Sequence, residues 1–272
     1  MKLALFVGCC IPARLPAYEV SARAVLAHLG VDLVDIRFDC CGYRARSLSR
    51  DAFVFASARN LALAGRAGVD VVTLCTCGFG TLKLAARVLD EDSELRGRVE
   101  LALAAEGLVA SPATPVEHLL SFLARRIGVD AIAAAVRSPR SGMRVAAQYG
   151  CHALRPSDGS GIDDPMNPTI FEALIEATGA AAIDWPLRLE CCGDPVRGAS
   201  ATIARRMTRA KLADAKTAGA QAICTACPHC HLRFDSEVAD ARLPRAIRPL
   251  LVTQLLGLAM GLEPARLGMT VE

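Results

Sequence analysis

The chain repeats one pattern of cysteines and apolar segments, and this repeat limits the folds open to it. "FDCCGYR" begins at Phe38 and "LECCGDP" begins at Leu189, so the tripeptide Cys-Cys-Gly occurs twice, 151 positions apart. In each half, a short apolar run ending in Gly-Cys precedes a helical segment, the Cys-Cys-Gly, a longer helix and further cysteines. So long a self-similarity predicts two copies of one structural unit.

Each half alternates strand-like runs with helical periodicity, which is typical of a mostly parallel sheet. "LALFVG" and "RVAAQYG" predict buried strands, and apolar residues three and four apart predict helices over about 18–29 and 168–178. We expect an α/β fold of two similar tandem Cys-Cys-Gly units, 1–140 and 141–272, related by a pseudo-twofold axis. The polar segment 137–143 is the predicted joint.

Charge and hydropathy exclude some functions. A net charge of +3 without blocks of like charge gives no reason to expect nucleic acid or a membrane surface as partner. The seven-residue apolar run at the N-terminus is shorter than the core of a secretory signal. The stretch "LLVTQLLGLAMGL" has thirteen residues where a span needs about 20, so it predicts a buried helix. We expect a cytoplasmic protein with no membrane span.

The chain has 12 cysteines, and their spacing points to a metal centre. The cytosol keeps thiols reduced, so such density indicates metal or redox chemistry rather than disulfides. Each main group follows a predicted strand, and strand ends of a parallel sheet share one edge, so we expect the groups to converge. In the second half, five thiolates exceed what tetrahedral zinc needs and suit an iron–sulfur cluster. Gly193 is expected to let the backbone approach the inorganic core.

The arrangement resembles the Cys-Cys-Gly domain of the heterodisulfide reductase B-subunit family over both halves of the chain. That pattern is a cysteine, a gap of thirty to forty residues, Cys-Cys-Gly, a gap in the mid-thirties and Cys-x-x-Cys. The resemblance implies two [4Fe-4S] clusters, noncubane and held by five cysteines where the motif is complete, facing a shared cavity where a disulfide is reduced. By position, it implies second-site ligands Cys151, Cys191, Cys192, Cys227 and Cys230, and first-site ligands Cys9, Cys40, Cys41 and Cys75.

The first half departs from this pattern. Cys75 aligns with Cys227 and Gly78 with Cys230, so the fifth ligand is missing. We expect Cys77 to replace it, since Cys77 lies one residue from the vacant position in a glycine-containing loop, whereas Cys10 points away if its strand continues. The alternatives are a modified cluster with an iron open to substrate, and an empty or differently occupied site kept for packing.

Four other residues near the motifs have less specific expectations. Cys224 is expected to be a buried spectator. His229 and His152 each have two open interpretations, a hydrogen bond to a cluster sulfur or a place in solvent. His118 is expected to cap or pack. There is no nucleotide-binding glycine motif, so we expect no flavin or nucleotide on this chain.

The resemblance implies the redox component of a heterodisulfide reductase-like complex, which cleaves or forms a disulfide. Electrons would pass through an iron–sulfur partner of the C-subunit type and a flavoprotein partner of the A-subunit type. The Ala-, Arg- and Leu-rich composition and the altered first site favour the bacterial sulfur-oxidising type, which works with a lipoate-binding protein. The alternatives are an electron-transfer component of a lactate or glycolate oxidation complex, and a non-catalytic structural zinc protein.

Overall fold

The protein is represented by a computed structural model that describes residues 2–156, 161–239 and 247–270. It contains two four-stranded sheets in which every pairing is parallel. The first sheet, in the order β2-β1-β3-β4, consists of β1 Lys2–Phe6, β2 Asp32–Val34, β3 Asp70–Thr73 and β4 Val116–His118. The second, in the order β6-β5-β7-β8, consists of β5 Arg144–Gln148, β6 Ala181–Ile183, β7 Ala222–Thr225 and β8 Arg248–Leu251.

Helices connect the strands, as expected for parallel pairing. They are α1 Cys10–Arg14, α2 Pro16–His28, α3 Arg50–Ala67, α4 Thr76–Glu91, α5 Ser93–Ala104, α6 Leu119–Ser121, α7 Val129–Ala135, α8 Cys151–Leu154, α9 Ile170–Glu176, α10 Ala201–Thr217, α11 Pro228–Val238 and α12 Val252–Ala259. A π-helix spans Phe122–Gly128, and 3-10 turns span Tyr43–Ser47, Asp194–Val196 and Pro264–Leu267. The predicted α/β fold of two similar units is confirmed, and α2 and α9 lie where the spacing predicted helices. The domain limits and the pseudo-twofold axis stay predictions.

The two sheets share their register as well as their order. Ala4 pairs with Val34 and Val71, and Ala146 pairs in the same way with Ile183 and Ile223. In β1 and β5, one exposed residue is followed by four buried ones, because central strands of a parallel sheet are covered on both faces. The connections after β1 and β3 lead to strands on opposite sides of this central pair, and those after β5 and β7 do the same in the second sheet. This opens a crevice at their carboxyl ends.

The two units pack into one molecule through a shared apolar core. Residues of both sheets and of helices α2 and α12 belong to one buried cluster. At the contact of these helices, the hydroxyls of Ser21 and Thr253 lie 2.6 Å apart and are buried. The joint segment 137–143 is also attached, since the backbone N–H groups of Arg137 and Ser138 donate to the carbonyl of Ala259.

The apolar stretch 250–262 was predicted to be one buried helix, and this is wrong at its start. Leu250 and Leu251 belong to β8, where they pair with Cys224 and Thr225, and the helix begins only at Val252. The open edge of β7 supplies parallel hydrogen bonds, which outweigh the helical preference of two leucines. Within 2–156, 161–239 and 247–270, no helix is both long and apolar enough to cross a bilayer.

Candidate metal centre

Every predicted ligand cysteine follows a strand at the carboxyl edge of its sheet. In the first unit, Cys9 follows β1, the Cys40–Cys41 pair follows β2, and Cys75 follows β3. The second unit repeats this placement after β5, β6 and β7. Strand ends of a parallel sheet meet at one edge, so residues separated by thirty or more positions come together.

Each Cys-Cys-Gly turns against the helix that follows it. Gly42 and Gly193 have φ values of 82° and 94°, a region that favours glycine. A Cβ on Gly42 would lie 2.9 Å from the Cα of Phe53, and one on Gly193 would lie 2.7 Å from the carbonyl oxygen of Ala204. The glycine is therefore required by its contact with the next helix. The expectation that Gly193 also lets the backbone approach an inorganic core stays a prediction.

The structure brings together the five predicted second-site cysteines. The thiol of Cys191 is within hydrogen-bonding reach of those of Cys151 and Cys192, Cys192 in turn reaches Cys230, and Cys230 reaches Cys227. Cys192, Cys227 and Cys230 are buried, while Cys151 and Cys191 are half-buried. The set is therefore a continuous group of sulfur atoms, shielded from water on one side and open to a cavity on the other.

Shared protons in this group create thiolates at particular positions. Hydrogen bonds from Cys151 and Cys192 lower the pKa of Cys191 to about 2, and the N–H of Gly193 donates to its sulfur over 3.4 Å. Donation to Cys191 raises the pKa of Cys192 to about 12. Hydrogen bonds from Cys230 and from cysteines of the first unit lower the pKa of Cys227. Thiolates are the form that binds soft metals, so this group is ready to exchange protons for metal ions.

The first-site cysteines form a looser group. Cys40 is linked to Cys41 and Cys9, and the hydrogen bond from Cys41 is the main reason why the pKa of Cys40 falls to about 5. Cys9 and Cys40 are exposed, unlike their half-buried counterparts in the second unit. Cys75 lies beside Cys77, and Gly78 offers no side chain at the fifth ligand position.

Cys77, the expected substitute ligand, lies among groups of both units. Its Sγ is 3.3 Å from Nδ1 of His152. The sulfur atoms of Cys75 and Cys77 and a ring nitrogen of His229 all lie within 4.8 Å of one another. Cys77 also lies within hydrogen-bonding reach of Cys227, and Cys10 has Cys227 and Asp194 as neighbours, so both approach the second unit. Cys10 begins the helix α1 and does not continue the strand β1, contrary to the premise on which it was expected to point away. The closeness of Cys77 to Cys75 supports Cys77 as a ligand of the first site, and that assignment stays a prediction.

His229 was left with two open interpretations, and the structure gives it specific partners. Its Nδ1 lies 3.1 Å from a carboxylate oxygen of Asp194, and this hydrogen bond raises the pKa of His229 and lowers that of Asp194. The third donor beside Cys75 and Cys77 was missed because it comes from the other unit. One sequence signal was available: the repeat aligns His229 with Cys77.

The two cysteine groups meet where Cys75 and Cys77 come within hydrogen-bonding reach of Cys227, and a cavity of about 930 Å³ opens beside this contact. Cys77 lines it from the first unit, and Cys151, Cys192, Cys227 and Cys230 line it from the second. Tyr43 and His152 meet edge to face across it, with ring centroids 5.3 Å apart. Three guanidinium groups, those of Arg44, Arg46 and Arg197, also border the cavity.

A buried hydroxyl tests whether an iron–sulfur cluster fits these residues. Tyr18 is fully buried, and its hydroxyl finds no hydrogen-bond partner among the described residues. Burial raises its pKa, and the nearby Cys227, Cys75 and Cys224 add to this rise. A buried donor without an acceptor is costly, and cluster sulfides and thiolates are acceptors. Together with a donor set made almost entirely of sulfur, this fits an iron–sulfur group better than a single zinc ion.

Two residues lie outside the metal centre, as expected. Cys224 is fully buried within β7 and has no thiol contact with the ligand groups in the described part of the chain. His118 is fully buried at the end of β4, where its Nδ1 accepts a hydrogen bond from the N–H of Leu120 over 3.3 Å and caps α6.

Comparisons with known proteins agree with this architecture. A family model described as "CCG: Cysteine-rich domain" matches residues 3–83 and 145–235, once in each unit, so the chain is a tandem cysteine-rich domain protein. It is 33% identical to the B subunit of the ferredoxin/F(420)H(2)-dependent CoB-CoM heterodisulfide reductase of Methanosarcina acetivorans, over 98% of this chain and 92% of that protein. A ferredoxin-dependent counterpart from Methanosarcina mazei is 32% identical over the same shares. The chain belongs to the heterodisulfide reductase B-subunit family.

Two further likenesses extend this picture. The 8-methylmenaquinol:fumarate reductase membrane anchor subunit of Wolinella succinogenes is 31% identical, over 98% of this chain and 95% of that protein. The crystal structure of a hypothetical protein from Helicobacter pylori aligns with a TM-score of 0.79 at 19% identity. That match covers 98% of this chain and 50% of the other, and it supports the fold alone.

Proposed function

We propose that this chain is the iron–sulfur redox component of a heterodisulfide reductase-like complex and that it interconverts a disulfide and two thiols in the cavity between its units. One observation carries the proposal: Cys77 of the first unit and four cysteines of the second unit line the same cavity of about 930 Å³. A cavity of this size accommodates a small organic ligand.

The second site is proposed to hold a noncubane [4Fe-4S] cluster through Cys151, Cys191, Cys192, Cys227 and Cys230. The first site is proposed to hold a modified cluster through Cys9, Cys40, Cys41, Cys75 and Cys77. Iron–sulfur clusters supply electrons singly, whereas cleavage of a disulfide consumes two electrons and two protons and releases two thiols. Two centres beside one cavity meet this requirement.

The chain's own side chains hold the ligand and supply protons. Arg44 and Arg46 have no carboxylate partner in the described residues, and Arg197 reaches the Asp194 carboxylate only at 4.0 Å. These guanidinium groups favour a disulfide whose substituents carry carboxylate, sulfonate or phosphate groups. The imidazoles of His229 and His152 border the same space and are positioned to give a proton to a departing thiolate.

The cellular setting is a separate part of the proposal. We place the chain in the cytoplasm, docked on an iron–sulfur partner and a flavoprotein, with flow in the sulfur-oxidising direction and a lipoate-binding protein as source of the sulfur pair. The Wolinella relative supports a second candidate, an electron-transfer component without a sulfur substrate, because its name refers to menaquinol and fumarate.

Anaerobic purification tests the cofactor assignment. We expect a brown protein with iron and acid-labile sulfide. A colourless protein that contains zinc would overturn the cluster assignment and favour the structural zinc alternative.

A dye-coupled assay tests the substrate class. Reduced viologen should be oxidised when an anionic disulfide is added, and less so with a neutral disulfide of equal size. Arg46→Ala and Arg197→Ala should raise KM for the anionic disulfide, while Arg66→Ala, an exposed arginine outside the cavity, is the matched control. Cluster-loaded protein that reduces no disulfide but passes electrons to a quinone would support the second candidate.

A further inference from the structure

In each unit, a hydroxyl on the helix that follows the Cys-Cys-Gly loop donates a hydrogen bond to a carbonyl of that loop, and the two hydroxyls are at equivalent positions. The hydroxyl of Ser57 donates to the carbonyl of Cys41 over 2.7 Å, and the hydroxyl of Thr208, 151 positions later, donates to the carbonyl of Cys192 over 2.8 Å. The helices α3 and α10 that carry these hydroxyls begin 151 positions apart, at Arg50 and Ala201. Residues on these helices can therefore be compared one by one.

One helical turn after these hydroxyls, the first unit has a neutral side chain and the second unit has a positively charged one. In the first unit, the side chain of Asn60 donates to the carbonyl of Cys40 over 3.2 Å and accepts from the N–H of Asp39 over 2.8 Å. The equivalent residue in the second unit is Lys211, which donates to the carbonyl of Glu190 over 2.9 Å and to that of Leu187. A neutral amide in the first unit and an ammonium group in the second thus occupy equivalent positions next to the Cys-Cys-Gly loops.

The Lys211 ammonium is buried among carbonyl groups and an aromatic ring. The residue is 1% exposed, and no carboxylate lies within ion-pair distance of it in the described part of the chain. Its ammonium lies over the ring of Trp185, 4.6 Å from the centroid. Burial lowers the pKa of Lys211 to about 8, and the nearby Cys230 and Cys192, with a smaller contribution from Glu190, oppose that fall. The group therefore remains protonated at neutral pH.

A buried charge without a paired carboxylate is costly unless other negative charge lies beside it. Most of the negative charge available here belongs to the second-site cysteines, which are thiolates when they bind a metal. Reduction adds one more negative charge to a bound cluster, and a fixed positive charge in a poorly solvated place stabilises the reduced form.

We propose that Lys211 is a positioning residue whose buried ammonium raises the reduction potential of the second site above the value that a neutral residue would give, while Asn60 leaves the first site without this effect. The inference rests on the proposed function, since it requires a cluster at the second site. The two centres of one chain then differ in electron affinity, and the second site is the preferred electron acceptor.

Redox titration of the reconstituted full chain, followed by paramagnetic resonance, tests the inference. In Lys211→Gln and Lys211→Met, the second-site signal should titrate at a more negative potential than in the wild type. Lys211→Arg keeps the charge and should stay near the wild-type value. Lys216→Gln removes an exposed lysine from the same helix and is the matched control. It should leave the potential unchanged.

The outcomes distinguish an effect of the positive charge of Lys211 from an effect of its hydrogen bonds to the carbonyls of Leu187 and Glu190. If both neutral variants lose the cluster while Lys211→Arg keeps it, the charge is needed to hold the thiolate-bound group, which supports the inference. Wild-type potentials in both neutral variants, or equal shifts in the Arg and Gln variants, would overturn it. A wild-type protein without any cluster at the second site would overturn the proposed function itself, whereas an assembled cluster with an unmoved potential would overturn only the role of Lys211.

Discussion

The Cys-Cys-Gly loops of the two units have equivalent backbone geometry, but the side chains around them differ between the units. The second unit groups five thiols, of which three are buried and four line the cavity. The first has Gly78 where the fifth thiol would be, exposes Cys9 and Cys40, and turns Cys77 toward His152 of the other unit. This difference shows that the fold fixes the positions available to cysteines, while single residues decide how many thiols there are and how exposed they are.

The strongest test of this comparison removes one equivalent thiol from each unit. Cys192→Ser should lower the iron content by one cluster, about four iron atoms per chain, because oxygen is a poor ligand for a soft iron–sulfur core. Cys41→Ser should remove the first site's iron and leave the second's. Iron analysis and paramagnetic resonance on anaerobic samples measure both. An unchanged iron-to-protein ratio and spectrum in Cys192→Ser would contradict the assignment of a cluster to the second site.

The second test concerns the vacant ligand position. Cys77→Ala should lower the first site's iron by less than one cluster, because four other thiols remain. Gly78→Cys should restore it in the double variant. A Cβ at position 78 would lie 3.4 Å from the ring of Phe6, so a side chain fits there. Intact iron and signal in Cys77→Ala would show that Cys77 is not a ligand.

The Gly78→Cys variant also tests whether an open iron matters for activity. In the open-iron alternative, where Cys77 is not a ligand, the new thiol is the fifth one and should occupy the position that substrate sulfur would otherwise use. Turnover of a disulfide should then fall several-fold while iron content is kept. Unchanged turnover in this variant would contradict the open-iron interpretation.

The third test uses a titratable residue that only the first unit has. His118 at the end of β4 pairs with Thr73, and Leu251 pairs in the same way with Thr225. Burial lowers the pKa of His118 to about 4, against about 6.5 when unfolded. The unfolded chain therefore takes up a proton first, and stability should fall by roughly 1.4 kcal/mol per unit as pH drops from about 6.5 to about 4.

Replacing His118 by leucine, the residue at the equivalent place in the second unit, should remove this contribution and lower the slope by roughly 1.4 kcal/mol per pH unit. His231, whose pKa burial also lowers to about 4, keeps its own contribution in the same window. Denaturant unfolding of metal-free His118→Leu across that pH window measures the change, and His28→Gln, an exposed histidine, is the control. A wild-type slope that survives in His118→Leu would assign the acid sensitivity to other groups.

The smallest expected effects come from the two hydroxyls that hold the loops. Ser57→Ala should lower the free energy of unfolding by about 1 kcal/mol through loss of one buried hydrogen bond. Thr208→Val should cost somewhat more, since the Thr208 hydroxyl also accepts from the guanidinium of Arg233 over 3.1 Å. Urea denaturation measures both changes. A loss of stability in only one of the two variants would argue against equivalent roles for these hydroxyls in the two units.

Much of the fold could be predicted because it depends on local patterns. The alternating apolar runs predicted the strands, and the offset of 151 positions predicted two similar units, since a repeated pattern of this kind gives the same elements in the same order. The error at Leu250 and Leu251 has a tertiary cause. Their composition suits a helix, and only the presence of β7 alongside makes the strand more stable.

The sequence by itself determined the donor set of the candidate metal centre, because residue type and spacing decide which atoms are available as ligands and how many. The five second-site cysteines and the missing thiol at Gly78 could both be read from it. Only the tertiary structure decided which groups of one unit meet those of the other. The contact of Cys77 with His152, the approach of His229 to Cys75, and the place of Lys211 beneath the second site all depend on packing across elements distant in sequence. Such contacts arise from the joint burial of both units in one core, which no local pattern encodes.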